Sequence, residues 1–176
     1  MVLLNKFILG INDTHDASAA IVKNGKIICA ISEERIQRVK STGGFPKGAI
    51  KACLKFAGIK MKDIDYIAVA GNRAVPINML GLNSTLELDD HIKIQEKIRK
   101  PQFYGGKVCS YSDIFPKYKS KGKTYYSIKD IPLKETRELS LKEKRQIKNY
   151  RLKFIAKQTG KNLSKIITFD HHLCHI

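Results

Sequence analysis

The sequence has no apolar run that approaches the ~20 residues a helix needs to cross a bilayer, although hydrophobic residues make up 43% of its 176 residues. It has no cysteine pair at C-x-x-C spacing, because Cys29, Cys53, Cys109 and Cys174 are scattered. The apolar start, MVLLNKFILG, shows neither a basic leader nor a small-residue cleavage site, so we interpret it as a strand and not as a signal peptide. These absences favour a cytoplasmic protein with reduced thiols and no membrane contact.

Acidic residues are scarce, and the resulting positive charge is unevenly distributed. The formal net charge is +17, and residues 91–165 hold 21 Lys and Arg against 6 Asp and Glu, whereas the remainder holds 12 against 10. Such a block could attract nucleic acid through its phosphates. A solvated, lysine-rich surface is the alternative. Because Lys outnumbers Arg and few aromatic residues interleave, we favour the solvated surface and do not expect a nucleic-acid partner.

Residues 7–32 carry the clearest local pattern. The β-rich run FILGIN, the apolar residues 17–22 and the run KIICAI at 26–31 follow one another, and Asn24-Gly25 separates the last two. Asn-Gly between apolar runs is typical of a hairpin turn, since both turn residues need positive φ. The pattern predicts three sequential antiparallel strands.

A helix and a fourth strand follow. Pro46 lies where a helix tolerates a missing N–H, and Gly58 is typical of a helix end. Between them, five apolar residues recur at helical spacing: Ala49, Ile50, Cys53, Leu54 and Ala57. Residues 65–70 (DYIAVA) read as a strand that ends at Gly71-Asn72. Residues 1–80 are therefore predicted to form an α/β core of order βββαβ.

Residues 81–164 form a variable, basic insertion with less regular patterning. We predict a helix over 86–99, an extended insertion without a period over 101–132, and a basic amphipathic helix over 139–157. The first helix would use Leu88, Ile92 and Ile98, and the second would bury Leu141, Ile147, Tyr150, Phe154 and Ile155. Residues 165–169 (KIITF) then predict a strand that runs directly into D-H-H-L-C-H.

The first loop, I-N-D-T-H-D-A-S at 11–18, concentrates reactive side chains beside small residues. Asp13 or His15 could act as a general base. An extended chain would turn these two side chains toward the same side. Ser18 and backbone N–H groups could bind a phosphate. The alternative is that Asn12, Asp13 and Ser18 only cap a turn.

The segment E-E-R-I-Q-R-V-K at 33–40 follows the third strand. Arg35, Arg38 and Lys40 could lie beside a phosphate-bearing ligand. The alternative is a solvated helix with pairs such as Glu34–Arg38.

His171 and His175 are four residues apart at the end of the last predicted strand. In a helix both imidazoles would project from one face and could hold a single Zn²⁺ or Fe²⁺. His172 would then point elsewhere, and Cys174 is a less suitable third ligand. A helix-capping cluster is the alternative explanation of this pair.

Three segments, G-I-N-D-T-H-D-A-S-A-A-I-V, E-E-R-I-Q-R-V-K and D-H-H-L-C-H, together resemble the N-terminal part of the O-carbamoyltransferases of the nodulation-factor and antibiotic-tailoring type. The resemblance implies an α/β fold of the actin, sugar-kinase and heat-shock ATPase type, of which residues 1–176 would be the N-terminal half. It also implies ATP-dependent carbamoyl transfer from carbamoyl phosphate, through carbamoyl-adenylate, to a small hydroxyl-bearing acceptor.

The resemblance implies a role for each motif. Asp13, His15 and Lys40 would lie at the transferred group, and His171 with His175 would hold a divalent metal, with Fe²⁺ favoured over Zn²⁺. Four residues would lie near the nucleotide or its phosphates: Asp16, Ser18, Arg35 and Arg38.

The same resemblance implies that the second half of the nucleotide clamp and the domain that makes carbamoyl-adenylate lie elsewhere. We therefore expect a fragment, a truncated chain or one product of a split gene, inactive alone, with a separate chain as one source of the other domains. Two alternatives remain. One is a tRNA threonylcarbamoyl-transferring protein of the same superfamily, and the other is a basic, non-catalytic nucleic-acid-binding module.

Overall fold

Five strands form one mixed sheet in the part of the chain that the computed structural model describes, residues 6–14, 16–71, 86–115 and 139–170. The strands are β1 (Phe7–Asn12), β2 (Ser18–Lys23), β3 (Lys26–Ser32), β4 (Tyr66–Ala70) and β5 (Ile166–Phe169). Neighbouring strands follow the order β3-β2-β1-β4-β5. The first three pair antiparallel, while β4 pairs parallel with β1 and β5 pairs parallel with β4. The predicted α/β class is confirmed.

The predicted hairpin between β2 and β3 is confirmed. Asn24 and Gly25 have φ values of 50° and 80°, as a two-residue turn that matches the twist of its strands requires. A register shift follows, because Ile21 pairs with Cys29 and Val22 with Ile27, so that Ile28 is the extra residue of a bulge.

Two helices lie in the connection from β3 to β4: α1 (Glu33–Gln37) and α2 (Lys47–Phe56). The prediction of α2 is confirmed at both ends, since it begins directly after Pro46 and the chain turns at Gly58, with φ 66°. Its apolar side packs against β2 and β3 and buries Ala49, Ile50 and Cys53.

Residues 88–104 form an irregular helical segment. Here α3 (Leu88–Ile94) passes through a π turn (Gln95–Arg99) into α4 (Lys100–Tyr104), and α5 (Tyr111–Ile114) follows. The extended insertion predicted from 101 is therefore wrong for α4 and α5, and 116–132 lie outside the described residues.

The π turn has a physical cause in Pro101. Proline has no N–H for the carbonyl of Lys97 and its ring would clash with that carbonyl in a regular α-helix. The carbonyl oxygen of Lys97 instead accepts from the backbone N–H of Cys109 at 3.0 Å. The helix thus passes the proline without leaving that acceptor unpaired.

The three apolar residues on which the prediction of this helix relies differ in burial. Leu88 and Ile92 are 74% and 51% exposed, whereas Ile98 is buried. Ile94 and Ile98, four residues apart, form a small cluster with Tyr111 that is separate from the main core.

The long helix α6 (Leu141–Thr159) confirms the predicted basic helix. Its buried stripe runs every four residues through Ile147, Arg151 and Ile155. Leu141 is 74% exposed, so its predicted burial is wrong. Six residues before Ile147, it lies roughly 120° around the helix from that stripe. Tyr150 and Phe154 are partly buried against the core, as predicted.

The main core lies between one sheet face and the helices α2 and α6. Burial alternates along the strands, so that every second residue faces these helices. Within the core, burial raises the pKa of the Cys53 thiol to about 12, and its Sγ donates to the Ala19 carbonyl oxygen at 3.4 Å. The sheet residues buried in this core are Leu9, Ile11, Ala19, Ile21, Ile67, Val69 and Ile166.

None of the helices in the described ranges is both long and apolar enough to cross a membrane.

Candidate active site

The first loop lies where β1 ends, beside the end of the parallel strand β4. Asn12 organises it: its side-chain oxygen accepts from the backbone N–H of Thr14 at 3.2 Å and from the Thr14 hydroxyl at 2.7 Å. The Asn12 amide nitrogen donates to the carbonyl oxygen of Asp16 at 3.2 Å. Asp16 itself is exposed and has φ 53°. The turn-capping alternative is thus correct for Asn12.

The Asp13 carboxylate is bound to Arg151 of α6. Arg151 Nε donates to Asp13 Oδ2 at 2.7 Å, and Arg151 Nη2 donates to Asp13 Oδ1. The two side chains are 0% and 2% exposed. Two parallel charge-assisted bonds of this kind hold both groups in a single geometry. The predicted role of Asp13 as a base stays a prediction, but both of its oxygens accept from Arg151.

The first loop is joined to the residues that follow α1. The backbone N–H of Ala17 donates to the carbonyl oxygen of Thr42 at 2.8 Å, and the N–H of Gly44 donates to the carbonyl oxygen of Thr14 at 3.1 Å. The loop motif and the basic motif, which are separate in sequence, therefore belong to neighbouring segments.

Glu33, the first residue of the basic motif, is buried and holds the start of α2. Its Oε1 accepts from the backbone N–H of Gly48 at 3.1 Å and from Gln37 Nε2 at 2.7 Å. Its Oε2 accepts from the N–H of Ala49 at 2.6 Å. A carboxylate is favoured at a helix N-terminus, where free N–H groups and the helix dipole meet. A side chain at Gly48 would come within 2.9 Å of Glu33 Oε1, so this contact also requires glycine.

The three cations of the basic motif are exposed: Arg35, Arg38 and Lys40. The solvated-helix alternative is wrong beyond Gln37, because α1 ends there and Arg38 has φ 58°. Arg38 therefore does not continue the helix on which a Glu34–Arg38 pair of that kind would depend. Glu34 instead accepts from the backbone N–H of Ser41 at 3.1 Å and lies 3.9 Å from Arg35 Nε. The three side chains are therefore open to solvent beside the end of α1.

Ser18 lines an open depression of about 320 Å³ on the sheet face opposite α2 and α6. It pairs in register with Asn12 on β1 and with Ser32 on β3, which gives a polar row across three strands. The next row on this face consists of Gly10, Ala20 and Ala30. Because these side chains are small, they do not fill the depression.

The predicted histidines His15, His171 and His175 lie outside the described residues. Within the described ranges, there is no group of three or more His, Cys, Asp or Glu side chains suited to a metal. The predicted metal site therefore stays a prediction that rests on the sequence.

Arg151 is the residue that the sequence interpretation missed. It falls in the basic segment that we took for a variable, solvated insertion, among many exposed lysines. One signal was present: Arg151 interrupts an apolar stripe, exactly four residues from both Ile147 and Ile155. A charge at such a position must be paired when it is buried.

Comparison with known proteins gives a family match over nearly the whole chain. The family model described as carbamoyltransferase N-terminus matches residues 7–176. This covers the first loop, the basic motif, Arg151 and the histidine motif together.

Individual relatives match over shorter segments. Nodulation protein NolNO of Sinorhizobium fredii is 40% identical over 60 residues, which is 34% of this chain and 9% of that protein. The uncharacterized protein sll1178 of Synechocystis is 49% identical over 61 residues, 34% of this chain and 10% of its own length. The uncharacterized protein MJ1051 of Methanocaldococcus jannaschii is 41% identical over 64 residues, 36% and 12% respectively. The matched part of the chain spans only about a tenth of these relatives.

Replacing Glu33 with glutamine should destabilise the fold. The carboxylate accepts three hydrogen bonds, and the amide NH₂ of glutamine, which cannot accept, would face at least one of these donors. We expect Glu33→Gln to lower the free energy of unfolding by about 2 kcal/mol. The matched control is Glu34→Gln, a partly exposed neighbour for which about 0.5 kcal/mol or less is expected. Denaturant unfolding of both variants measures this, and equal losses would show that Glu33 does not anchor α2.

Proposed function

This chain belongs to the carbamoyltransferase N-terminus family, and on that premise we propose that the complete protein transfers a carbamoyl group to a hydroxyl-bearing acceptor. The carbamoyl group comes from carbamoyl phosphate and is activated with ATP as carbamoyl-adenylate. The observation that carries this proposal is the family match over residues 7–176. The similarity to nodulation protein NolNO is additional support.

We also propose that the described sheet is one half of an actin-like domain. Support comes from the three-stranded meander followed by two parallel strands, with α2 before β4 and α6 before β5. In open α/β sheets, ligands bind beyond the carboxyl ends of parallel strands. The first loop lies there, at the ends of β1 and β4.

The transfer step places chemical demands on this loop. The acceptor oxygen attacks the carbonyl carbon of carbamoyl-adenylate, its proton passes to a base, and the bond to the adenylate oxygen breaks. Because the Asp13 carboxylate is bound to Arg151, His15 is the base of the loop in this proposal.

The charge on the leaving phosphate requires nearby donors and cations. Lys40, Arg35 and Arg38 supply the cations in this proposal, and Ser18 and the loop around Asp16 supply donors. Support comes from the hydrogen bonds that join Ala17 to Thr42 and Thr14 to Gly44, which make these segments neighbours.

His171 and His175 are the proposed ligands of a divalent metal, Fe²⁺ in preference to Zn²⁺. The donor set fits, because imidazole binds both ions and two ligands leave positions for a phosphate oxygen. A bound metal would act as a Lewis acid toward that oxygen.

The histidine ligands are tested in the complete protein by metal content. His171→Ala/His175→Ala should remove the stoichiometric metal that wild type retains after desalting, as measured by elemental analysis. His172→Ala is the matched control, because in a helix its side chain would project about 100° around the axis from that of His171, and it should keep the metal. Unchanged metal in the double variant would mean that the pair is structural.

The proposed base is tested by separating the two half-reactions in the complete protein. His15→Ala should slow acceptor carbamoylation by about 10²-fold or more, since a positioned base typically contributes that factor. Pyrophosphate release from ATP with carbamoyl phosphate should continue, because no proton leaves the acceptor in that step.

The control for this test is His91→Ala, which replaces an exposed histidine of α3. It should leave both assays unchanged. Full carbamoylation by His15→Ala would contradict the assignment of the base, and absence of carbamoylation by the wild type with every hydroxyl acceptor would contradict the proposed function itself.

A further inference from the structure

We propose that Arg151 is a positioning residue for the reaction: it fixes the first loop through Asp13, and Asp13 acts through this pair and not as the proton-accepting base. The part that concerns catalysis rests on the proposed carbamoyl transfer. The part that concerns the loop rests on the contacts of the Arg151 guanidinium alone.

The guanidinium connects three segments of the chain. Toward the first loop it donates to both oxygens of Asp13. Toward the end of β4 it donates from Nη1 to the carbonyl oxygen of Gly71 and from Nη2 to that of Ala70, each at 2.7 Å. The third segment is α6 itself, which carries Arg151. The ends of β1 and β4 are therefore tied to each other through one side chain.

Only an arginine can make this set of contacts. Its donors form a rigid planar fork that meets a carboxylate with two parallel bonds, whereas a lysine offers one compact ammonium on a flexible stem. The backbone at the end of β4 also presents two carbonyl oxygens to the guanidinium. Consecutive carbonyls of a strand point in opposite directions, but Gly71 has φ 89°, and both carbonyl oxygens reach the same guanidinium.

Burial makes this connection specific. Arg151 lies between Ile147 and Ile155 on α6, which belong to the main core, so its backbone is held by packing. Asp13 and Arg151 are both shielded from water and are 138 residues apart in sequence. Removing one partner leaves the other charged and buried, so replacement of either residue alone should destabilise the protein.

The pair determines what the loop can do. Since both Asp13 oxygens accept from Arg151, this carboxylate is not placed to take a proton from an acceptor. Asp13 anchors the backbone of the first loop, in which Thr14, residue 15 and Asp16 follow directly. A base at position 15 depends on that anchor for its place, and a displacement of about 1 Å can cost about 10²-fold in rate.

The first test follows the loop without using activity. In the complete protein, Arg151→Gln should increase amide hydrogen exchange at least about tenfold in peptides that contain the bonds from Ala17 to Thr42 and from Gly44 to Thr14, while α2 keeps its protection. Arg145→Gln, an exposed arginine of the same helix, is the matched control and should leave exchange unchanged. Unchanged loop exchange in folded Arg151→Gln would overturn the proposal.

The second test uses the pH dependence of acceptor carbamoylation. Asp13→Asn and Arg151→Gln should each slow transfer by about 10²-fold, and their combination should cost little more, because both remove the same anchor. The acidic limb of the kcat/KM profile should remain in Asp13→Asn. Loss of that limb would identify Asp13 as the base and overturn the proposal.

Two outcomes distinguish failure of the proposed carbamoyl transfer from failure of the positioning role of Arg151. If the wild type transfers no carbamoyl group but Arg151→Gln loosens the loop, the proposed function fails and the positioning role of Arg151 in the loop is supported. If Arg151→Gln does not fold, Asp13→Asn/Arg151→Gln, which has no unpaired buried charge, takes its place in both tests. Failure of this pair to fold would overturn the proposal, since the residues would then maintain the fold as a whole.

Discussion

The buried ion pair between Asp13 and Arg151 is the interaction on which the geometry of the candidate site depends. It joins the end of β1, the end of β4 and the long helix α6, because its five side-chain nitrogen and oxygen atoms and two backbone carbonyl oxygens form four hydrogen bonds with one another. Such a pair contributes little net stability compared with an apolar core, but removal of either partner would leave the other charged and buried. The first loop is therefore held by an element that lies far away in the sequence.

The elements predicted well were those that depend on local signals. The Asn24-Gly25 turn, the start of α2 after Pro46 and its end near Gly58 are encoded within a few residues, and the structure confirms them. The helix α6 was predicted because its apolar residues recur at helical spacing, but its first residue, Leu141, was assigned to the wrong side. Predictions failed where the outcome depends on packing, as at α5, which lies in the predicted extended insertion and whose Tyr111 packs with Ile94 and Ile98.

The site was predicted less well, because its organisation is tertiary. No residue near Asp13 in the sequence indicates that its partner is Arg151. In the sequence, Glu33 also does not differ from the other charged residues of the basic motif, and only the structure shows that its carboxylate binds the first turn of α2. The +15 balance of residues 91–165 led us to regard the segment as a solvated surface. That interpretation suits exposed residues such as Lys142, Lys153 and Lys157, but it does not suit Arg151, which is buried.

The most direct test of this account is a double-mutant cycle on unfolding free energy with Asp13→Ala, Arg151→Ala and the combined variant. If the buried pair joins the loop, β4 and α6, each single variant should lose about 3–5 kcal/mol, and the coupling energy should be about 2 kcal/mol or more. The combined variant should then lose at least about 2 kcal/mol less than the sum of the two single losses. Additive losses, with a coupling energy near zero, would contradict the claim that this pair organises the site.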